Sequence, residues 1–316
     1  MSKIYKIIIF LGILCQTKNQ NLAAQTIDTI FLGNSVYMDS VVIRASKIGF
    51  DAQDFILRMQ QDESFYKAFK NLRFTSYNSD NQLVIKSKRN KITASLSNKI
   101  HQNWNGKCRS MKVLSEKTEG DLLDDSNDYN YYTAKLLDRL FFTHGEICDK
   151  KELVEETPEM QKDVSNSHVN ELKKLIFKPG QAVDVPFVGS KTAIFSPEMR
   201  PYYDYSVTSK LYAEKIDCYV FAAFVKPEFL TKKEGKTVIK YLETYFDKLT
   251  KQVVARRYQL QYSNFWFDFD VKMDIQLTKI GTKYFPQHIS YDGNWNVPFQ
   301  KREIAKFNIS FYDFGL

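Results

Sequence analysis

Glycine and proline are scarce in this sequence, and it has no long apolar run. The 316 residues include 12 glycines and 8 prolines, and 45 Lys and Arg stand against 37 Asp and Glu. Because 43% of the residues are hydrophobic and both charge signs are mixed, the composition excludes a collagen-like or an intrinsically disordered chain. The mean hydropathy of −0.40 and the lack of an apolar stretch of about 20 residues exclude a helical membrane protein.

Signatures of catalysis and of cofactor binding are also missing. The sequence contains no HExxH or CxxC pair, no GxSxG element, no phosphate-binding loop and no dinucleotide fingerprint. His144, Glu146 and Cys148 lie close together in the run HGEIC, but no distant pair of ligands accompanies them. We therefore predict no metal site, no cofactor and no enzymatic activity.

Aromatic residues, in contrast, are abundant. They make up 15% of the chain, as 24 Phe, 19 Tyr and 3 Trp. This composition favours a β-rich protein that buries or binds a large apolar surface.

The N-terminus has the pattern of a cleavable signal peptide. Lys3 and Lys6 precede the apolar run 7–15, and a polar stretch then ends at Ala24, a small residue that allows cleavage. The apolar run is about half the length that a bilayer-spanning helix needs. We therefore predict a signal peptide at 1–24 and a periplasmic location.

An alternative for this segment is lipidation of Cys15. Leu14 disfavours it, because a small residue normally precedes a lipidated cysteine. We expect the mature chain to form a single domain, 25–316, from which a loop-and-helix excursion extends at about 115–180.

Three cysteines remain in the mature chain. Cys218 lies within the apolar run 216–225 and is predicted to be a buried thiol. Cys108 and Cys148 flank polar segments, so they are the better candidates for a disulfide in an oxidising compartment. Three free cysteines are the alternative.

Periodicity predicts a mainly β chain with a few helices. Apolar residues at helical spacing predict helices at 54–70 and 132–142, and a short third helix at 168–177. The acid-rich stretch 115–130 is predicted to be an exposed loop. Strands are predicted at 29–32, 40–45, 83–88, 92–100, 111–114, 191–195, 205–212, 216–225, 238–246, 252–262, 265–277, 284–291 and 303–314. Short turns between successive strands, among them 292–294, favour an antiparallel meander.

The clearest alternation follows the segment 265–277. Its odd positions are all apolar: Phe265, Phe267, Phe269, Val271, Met273, Ile275 and Leu277. Its even positions include Asp268, Asp270 and Asp274, which we interpret as exposed charges of an amphipathic strand and not as paired catalytic acids. Each apolar side chain would forgo about 1.5–3 kcal/mol if it were exposed. This face must therefore be covered by helices of the protein, by an apolar ligand or by membrane lipid.

Lipid cover would imply a small outer-membrane β-barrel. Two features disfavour it: the run 216–225 is apolar on both faces, as in a strand covered on both sides, and the helices at 54–70 and 132–142 need a sheet to pack on. We therefore predict a soluble α+β fold, in which a strongly curved antiparallel sheet, a half-barrel, carries helices on its concave face.

The order of these elements resembles the periplasmic lipoprotein carriers of the LolA/LolB type. The stretch IDCYVFAAFVKP…TVIKYLETYFDKLTKQVVARRYQLQY, residues 216–262, is similar to the core hairpins of that fold. The segments FDFDVKMDIQLTK, FPQHISYDGNW and KREIAKFNISFYDF look like those of exported proteins from Bacteroidota-type bacteria. The resemblance implies a concave face that holds acyl chains under helices. The residues it implies for such a cavity are Phe55, Met59, Leu136 and Leu140 of the helices together with the apolar row 265–277.

A basic segment, 81–115, contains eight Lys and Arg and no acid. In an exported protein this pattern favours anionic lipid headgroups over nucleic acid, and the candidate residues are Lys86, Lys88, Arg89 and Lys91. A solvated hairpin balanced by the acidic stretch 115–130 is the alternative.

Two functions of different classes fit these features. The first is a non-catalytic carrier or binding protein whose partner is an apolar ligand or a lipoprotein. The second is a cell-envelope scaffold or accessory protein whose sheet face is filled by its own side chains. A hydrolase with a novel site ranks third.

Overall fold

The computed structural model describes residues 52–148, 175–184, 188–230, 235–265, 268–296 and 302–315. The signal-peptide prediction and the strands predicted at 29–32 and 40–45 lie outside these residues. No helix in the described part of the chain is long and apolar enough to cross a membrane.

The described chain is built on one antiparallel sheet of eleven strands. In spatial order the strands are β4-β3-β2-β1-β11-β10-β9-β8-β7-β6-β5, so all neighbours except β1 and β11 are consecutive in sequence. The predicted antiparallel meander is thus confirmed. The strands are β1 Ser76–Lys86, β2 Ile92–Trp104, β3 Arg109–Gly120, β4 Glu146–Ile147, β5 Tyr203–Tyr212, β6 Ile216–Val225, β7 Ile239–Asp247, β8 Val253–Ser263, β9 Asp268–Ile280, β10 Lys283–Asn296 and β11 Glu303–Gly315.

Pairing of β1 with β11 joins the N-terminal hairpins to the C-terminal strand. The register places Leu83 opposite Phe307 and Ile85 opposite Ala305. Because side chains alternate along each strand, this register continues one set of apolar residues across the sheet. We call this side the apolar face; at its centre, Ile309 of β11 lies opposite Ile289 of β10, which lies opposite Ile275 of β9.

The three longer helices in the described part of the chain contact the apolar face. They are α1 Ala52–Gln61, α2 Ser64–Leu72 and α3 Tyr132–Phe141. Phe55 of α1 packs against Phe246 of β7 at 6.3 Å between ring centroids. Phe65 of α2 lies under the guanidinium of Arg256 of β8, and Phe141 of α3 packs against Phe307 of β11.

The helix predicted at 54–70 is divided into α1 and α2. Asp62 causes the break, because its carboxylate accepts hydrogen bonds from the backbone N–H groups of Ser64 and Phe65 at 3.1 and 3.3 Å. Such bonds satisfy N–H groups that a helix N-terminus leaves without a partner, so a new helix begins here.

The loop predicted over 115–130 is confirmed for 121–130 and wrong for 115–120. The strand β3 continues to Gly120, and every residue from Lys112 to Gly120 is exposed. It runs near the edge of the sheet, where only the two-residue β4 lies beyond it. Both faces of this part of β3 are exposed, so alternating apolar residues would not stabilise it. Its sequence therefore resembles that of a loop.

Three further boundaries differ from the predictions. The strand predicted at 191–195 is wrong: the segment begins in a 3-10 helix, Gly189–Thr192, continues as a turn, and Phe195 packs across Tyr205 of β5. The turn predicted at 292–294 is the continuation of β10, in register with β9 up to Asn296. The helix predicted at 168–177 is described only from residue 175, and residues 175–177 are helical.

Helix α3 is held to the sheet at its N-terminus by a buried glutamate. Glu303 of β11 is 5% exposed, and its two carboxylate oxygens accept hydrogen bonds from the backbone N–H groups of Tyr132 and Thr133 at 2.6 and 2.9 Å. The Thr133 hydroxyl donates a further bond of 2.8 Å. A negative charge at this position also favours the helix dipole.

We expect the substitution Glu303→Ala to lower the free energy of unfolding by about 2–3 kcal/mol, because it leaves two N–H groups and a hydroxyl without an acceptor. Urea unfolding followed by circular dichroism measures the change. Glu119→Ala is the matched control: its side chain is 58% exposed and binds Lys117, so the loss should stay within about 0.5 kcal/mol. Equal losses in the two variants would contradict the anchoring role of Glu303.

The other end of α3 is connected to β3. The Thr143 hydroxyl accepts a hydrogen bond of 3.2 Å from Nε of the buried Arg109. Cys108, directly before β3, and Cys148, directly after β4, form a disulfide, and these are the two cysteines that the sequence favoured. Cys218 is a buried free thiol, as predicted.

Candidate ligand-binding surface

The apolar row of β9 changes from buried to exposed along the strand. Ile275 and Leu277 are 1% and 2% exposed, whereas Met273, Val271 and Phe269 are half-buried. Within the described residues, the cover of the apolar face is therefore incomplete over the first half of β9.

Phe265 departs from the predicted row. The strand begins at Asp268, and Phe265 lies in the β8–β9 turn with 92% of its surface exposed. Phe267 lies outside the described residues. The alternation in the sequence extends through this turn, but the hydrogen-bonded strand does not.

Aromatic side chains of α3 and β10 border the half-buried part of β9 on one side. Trp295 lies opposite Phe269 in the register of β10 and β9. Its ring packs edge-on against Tyr132 of α3 with centroids 4.9 Å apart, and its indole N–H donates a bond of 3.3 Å to the Thr133 hydroxyl. We call Phe269, Val271, Met273, Trp295 and Tyr132 the open patch.

On the other side of β9 the open patch meets a small apolar cluster. Val183, Val188, Val238 and Tyr262 form it, and Leu175 and Phe269 pack against it. Phe269 therefore lies between this cluster and Trp295.

Gly293 of β10 lies beside the open patch and leaves space where another residue would have a side chain. Gly293 lies opposite Val271, and a Cβ at this position would collide with the hydroxyl of Tyr291. The Tyr291 ring stacks on Phe307 at 4.8 Å between centroids. A glycine is thus needed here so that the tyrosine can lie flat along the sheet. Gly293 falls in the turn predicted at 292–294, and the sequence alone does not indicate its packing role.

Two polar side chains of β8 point into the apolar face beside the open patch. Arg256 lies opposite Ile275 and Tyr258 opposite Met273; Arg256 is 0% exposed and Tyr258 is 5% exposed. Burial disfavours the charged form of each group, so the pKa of the Arg256 guanidinium is lowered and the pKa of the Tyr258 hydroxyl is raised.

Sequence reasoning missed these two residues. In the sequence, the stretch VVARRY contributes only to the fold-level resemblance of residues 216–262. The sequence does contain a pattern that indicates Arg256. This arginine shares one face of the strand with apolar and aromatic residues, namely Val254, Tyr258, Leu260 and Tyr262. An arginine in an otherwise apolar phase of a strand indicates a buried charge.

The helix residues predicted to line one cavity lie over different strands. Phe55 and Met59 of α1 are buried, and Phe55 contacts Tyr219 and Phe246 of β6 and β7. Leu136 of α3 is buried and Leu140 is half-buried; the aromatic contacts of α3 are with β10 and β11. The described contacts therefore bring α3, and not α1, to the open patch.

The acidic residues of β9 are engaged on the opposite, polar face. Asp268 binds Arg302 through both carboxylate oxygens, at 2.6 and 3.2 Å. Asp274 accepts a hydrogen bond of 2.5 Å from Nε of Arg257, and Asp270 accepts bonds from two glutamine side chains of β8. These pairings across strands agree with the structural interpretation of the three acids.

The run HGEIC brings potential metal ligands together without forming a metal site. One ligand atom each from Cys108, Glu146 and Cys148 lies within 4.8 Å of the others. Both sulfur atoms belong to the disulfide, so neither is available as a thiolate ligand. His144 binds Asp138 at 2.9 Å instead.

The predicted basic residues lie at the tip of the β1–β2 hairpin. Lys88, Arg89 and Lys91 are exposed, and Lys86 donates a hydrogen bond of 3.2 Å to Asn90. An open cleft at this tip is lined by Ser87, Lys88, Arg89, Lys91, Ile92, Thr93 and Asp121. Its charge is mainly positive, and the Ile92 side chain is 54% exposed beside it.

Comparison with known proteins yields distant structural neighbours. No family model matches the sequence, and no curated protein does. A DUF1329 family protein from Desulfovibrio piger is 11% identical with a TM-score of 0.24, and the match covers 83% of this chain and 90% of that protein.

Two further solved structures are similarly distant neighbours. A putative outer membrane lipoprotein-sorting protein domain from Vibrio parahaemolyticus is 5% identical with a TM-score of 0.28, over 84% of this chain and 93% of that domain. A LolA superfamily protein from Nitrosomonas europaea is 8% identical with a TM-score of 0.25, over 80% and 92%. Similarity this low supports no conclusion on the function of this chain.

Proposed function

We propose that this protein is a non-catalytic periplasmic carrier or binding protein for an apolar ligand, a lipid or a lipoprotein acyl chain. The ligand would lie on the open patch, between the sheet and α3. The proposal includes that the helix-covered face is the concave face of the sheet. Affinity would come from apolar burial, and displacement of the cover would open the site.

The single observation that supports the proposal is the incomplete cover of β9. A filled core would bury Phe269, Val271 and Met273 as completely as Ile275 and Leu277, because each exposed apolar side chain forgoes about 1.5–3 kcal/mol. Instead the three side chains are half-buried and lie next to a half-buried tryptophan and tyrosine. Contiguous apolar exposure of this kind is typical of ligand and partner sites.

Fluorescence of Trp295 tests this proposal directly. A variant with Trp104→Phe and Trp266→Phe retains Trp295 as its sole tryptophan, and a lysophospholipid with a dibrominated stearoyl chain quenches tryptophans that it touches. We expect saturable quenching of Trp295, because an acyl chain on the open patch would contact its ring.

A second sole-tryptophan variant, Trp266→Phe with Trp295→Phe, serves as the control. It retains Trp104, which ends β2 and packs against Phe74 at 5.3 Å. Trp104 should not be quenched at the same concentrations. Equal quenching of both tryptophans, or of neither, would contradict binding at the open patch.

A scaffold with a filled face is the second candidate. The full burial of Ile275, Leu277 and Phe285 favours it for the half of the sheet covered by α2. Under this proposal the half-buried residues would contribute to stability alone and no lipid would bind.

We further propose that the β1–β2 tip contacts anionic lipid headgroups. Reversing Lys88, Arg89 and Lys91 to Glu should abolish pelleting with phosphatidylglycerol vesicles at low salt, since the attraction of each cation to the surface is worth about 1 kcal/mol. The matched control reverses the exposed lysines Lys251, Lys279 and Lys283, which lie at the opposite end of the strands. If both triple variants pellet like the unmodified protein, the tip has no such role.

A further inference from the structure

Arg256 and Tyr258 present unused hydrogen-bond donors inside the apolar face. Arg256 donates from Nε to the Thr244 hydroxyl and from Nη1 to the carbonyl of Ile176, each at 3.2 Å. Its Nη2 atom is buried without a hydrogen-bond partner among the described residues, and the same holds for the Tyr258 hydroxyl. Buried donors without acceptors are costly and rare, so a pair on one strand face indicates an occupant that supplies acceptors.

The charge of Arg256 is already balanced. The Asp62 carboxylate lies 3.7 Å from Nη2, too far for a hydrogen bond but close enough for an ion pair. The carboxylate oxygens of Asp62 are occupied by the N–H and hydroxyl of Ser64 and by the N–H of Phe65. A second carboxylate here would leave one net negative charge buried, which the apolar surroundings disfavour. The pair therefore suits a neutral acceptor oxygen.

The position of the pair connects it to the open patch. Tyr258 lies directly opposite the half-buried Met273, at the short cross-strand separation of neighbouring strands. Arg256 lies two residues farther along the same face, which is a rise of about 7 Å. A ligand whose acyl chain covers Met273 can thus place its polar group close to the Tyr258 hydroxyl. Arg256 is the next donor along the same strand face.

We propose that Tyr258 and Nη2 of Arg256 form a subsite for the carbonyl oxygen of an acyl ester or amide, whose hydrocarbon chain lies on the open patch. This inference depends on the proposed carrier function and specifies its ligand class. The protein should prefer neutral acylated molecules over free fatty acids and over plain hydrocarbons of equal length.

The test measures competition against the brominated lysophospholipid on the protein that retains Trp295 as its sole tryptophan. The competitors are methyl laurate, ionised laurate and dodecane, which share a chain and differ in the polar group. We expect methyl laurate to bind about tenfold more tightly than dodecane, since a hydrogen bond to a charged donor is worth about that factor. Laurate should bind no better than dodecane.

The variant Tyr258→Phe distinguishes affinity that comes from hydrogen bonding at the subsite from affinity that comes from apolar contact. The variant should lose part of the preference for methyl laurate over dodecane, because Nη2 of Arg256 remains as the second donor, and it should keep its affinity for dodecane. Its melting temperature should stay the same or rise, because the hydroxyl removed has no partner in the described structure. Tyr262→Phe is the matched control on the same strand face; its hydroxyl accepts a bond of 3.0 Å from Lys191, so the ratio should not change.

Several results would overturn the inference. Equal affinity for methyl laurate and dodecane in the parent protein would remove the subsite while leaving the carrier function in place. Tighter binding of laurate than of its ester would show that the site prefers a charged headgroup. Failure of all competitors and of the brominated probe to bind would overturn the carrier function itself.

Discussion

Aspartate at position 275 should unfold this protein, whereas aspartate at position 273 should leave it folded and remove ligand binding. Ile275 is 1% exposed between Arg256 and Ile289. Asp62 already balances the charge of Arg256, so a second carboxylate at this position would bury one net negative charge. We expect Ile275→Asp to lower the free energy of unfolding by more than about 4 kcal/mol. Met273 is half-buried on the same strand face, and Met273→Asp should cost about 1 kcal/mol because its carboxylate can reach water.

Urea unfolding by circular dichroism measures both stabilities, and quenching of Trp295 measures binding. Phe269→Asp serves as a second test of the open patch and should behave like Met273→Asp. If Met273→Asp and Phe269→Asp destabilise the protein as strongly as Ile275→Asp, the face is filled along its whole length. The scaffold proposal would then replace the carrier proposal.

Removal of the disulfide should cost about 4 kcal/mol of stability. Cys108 and Cys148 are 40 residues apart in sequence, and closing a loop of this size restricts the unfolded chain by about that free energy. We expect Cys108→Ser with Cys148→Ser to unfold at a lower urea concentration by the corresponding amount.

Reductant provides the control for this prediction. The described structure has its free thiol, Cys218, buried at 0% exposure, and burial raises the pKa of this thiol to about 12, so that it stays protonated and unreactive. Reductant should therefore destabilise the unmodified protein and have no effect on the double serine variant. An unfolding midpoint that is the same with and without reductant would show that the loop is held by α3 and β3 alone.

Local patterns predicted the elements that have one covered face and one exposed face. Alternation placed β5, β6, β7, β8 and β11 to within about two residues, and helical spacing placed α3 over nearly its full length. These elements can be recognised in the sequence because every second residue of such a strand, or every third or fourth residue of such a helix, has to be apolar. The break between α1 and α2 was not predicted, because the spacing of apolar residues continues across Asp62. The capping bonds of Asp62 depend on side-chain geometry, which the spacing does not show.

Local sequence patterns do not identify a strand that is exposed on both faces. They also do not reveal which distant residues bind a buried polar side chain. The edge strand β3 was predicted as a loop from Ser115 onward because neither face needs apolar residues. Glu303 was not singled out because its partner, Thr133, is 170 residues away in sequence. For Arg256 the strand pattern indicates burial, but its partner Asp62, about 190 residues away, cannot be found from a local pattern.

The sequence by itself determined that this chain forms an antiparallel meander with a row of apolar residues on β9, since strand periodicity and short turns are local properties. It also singled out the cysteine pair that forms the disulfide, through the polarity of the flanking residues. Only the tertiary structure decided which part of that row is buried and which is half-open, because burial depends on where α2 and α3 end over the sheet. It likewise decided that Arg256 and Tyr258 lie next to Met273, since that neighbourhood follows from the register between β8 and β9.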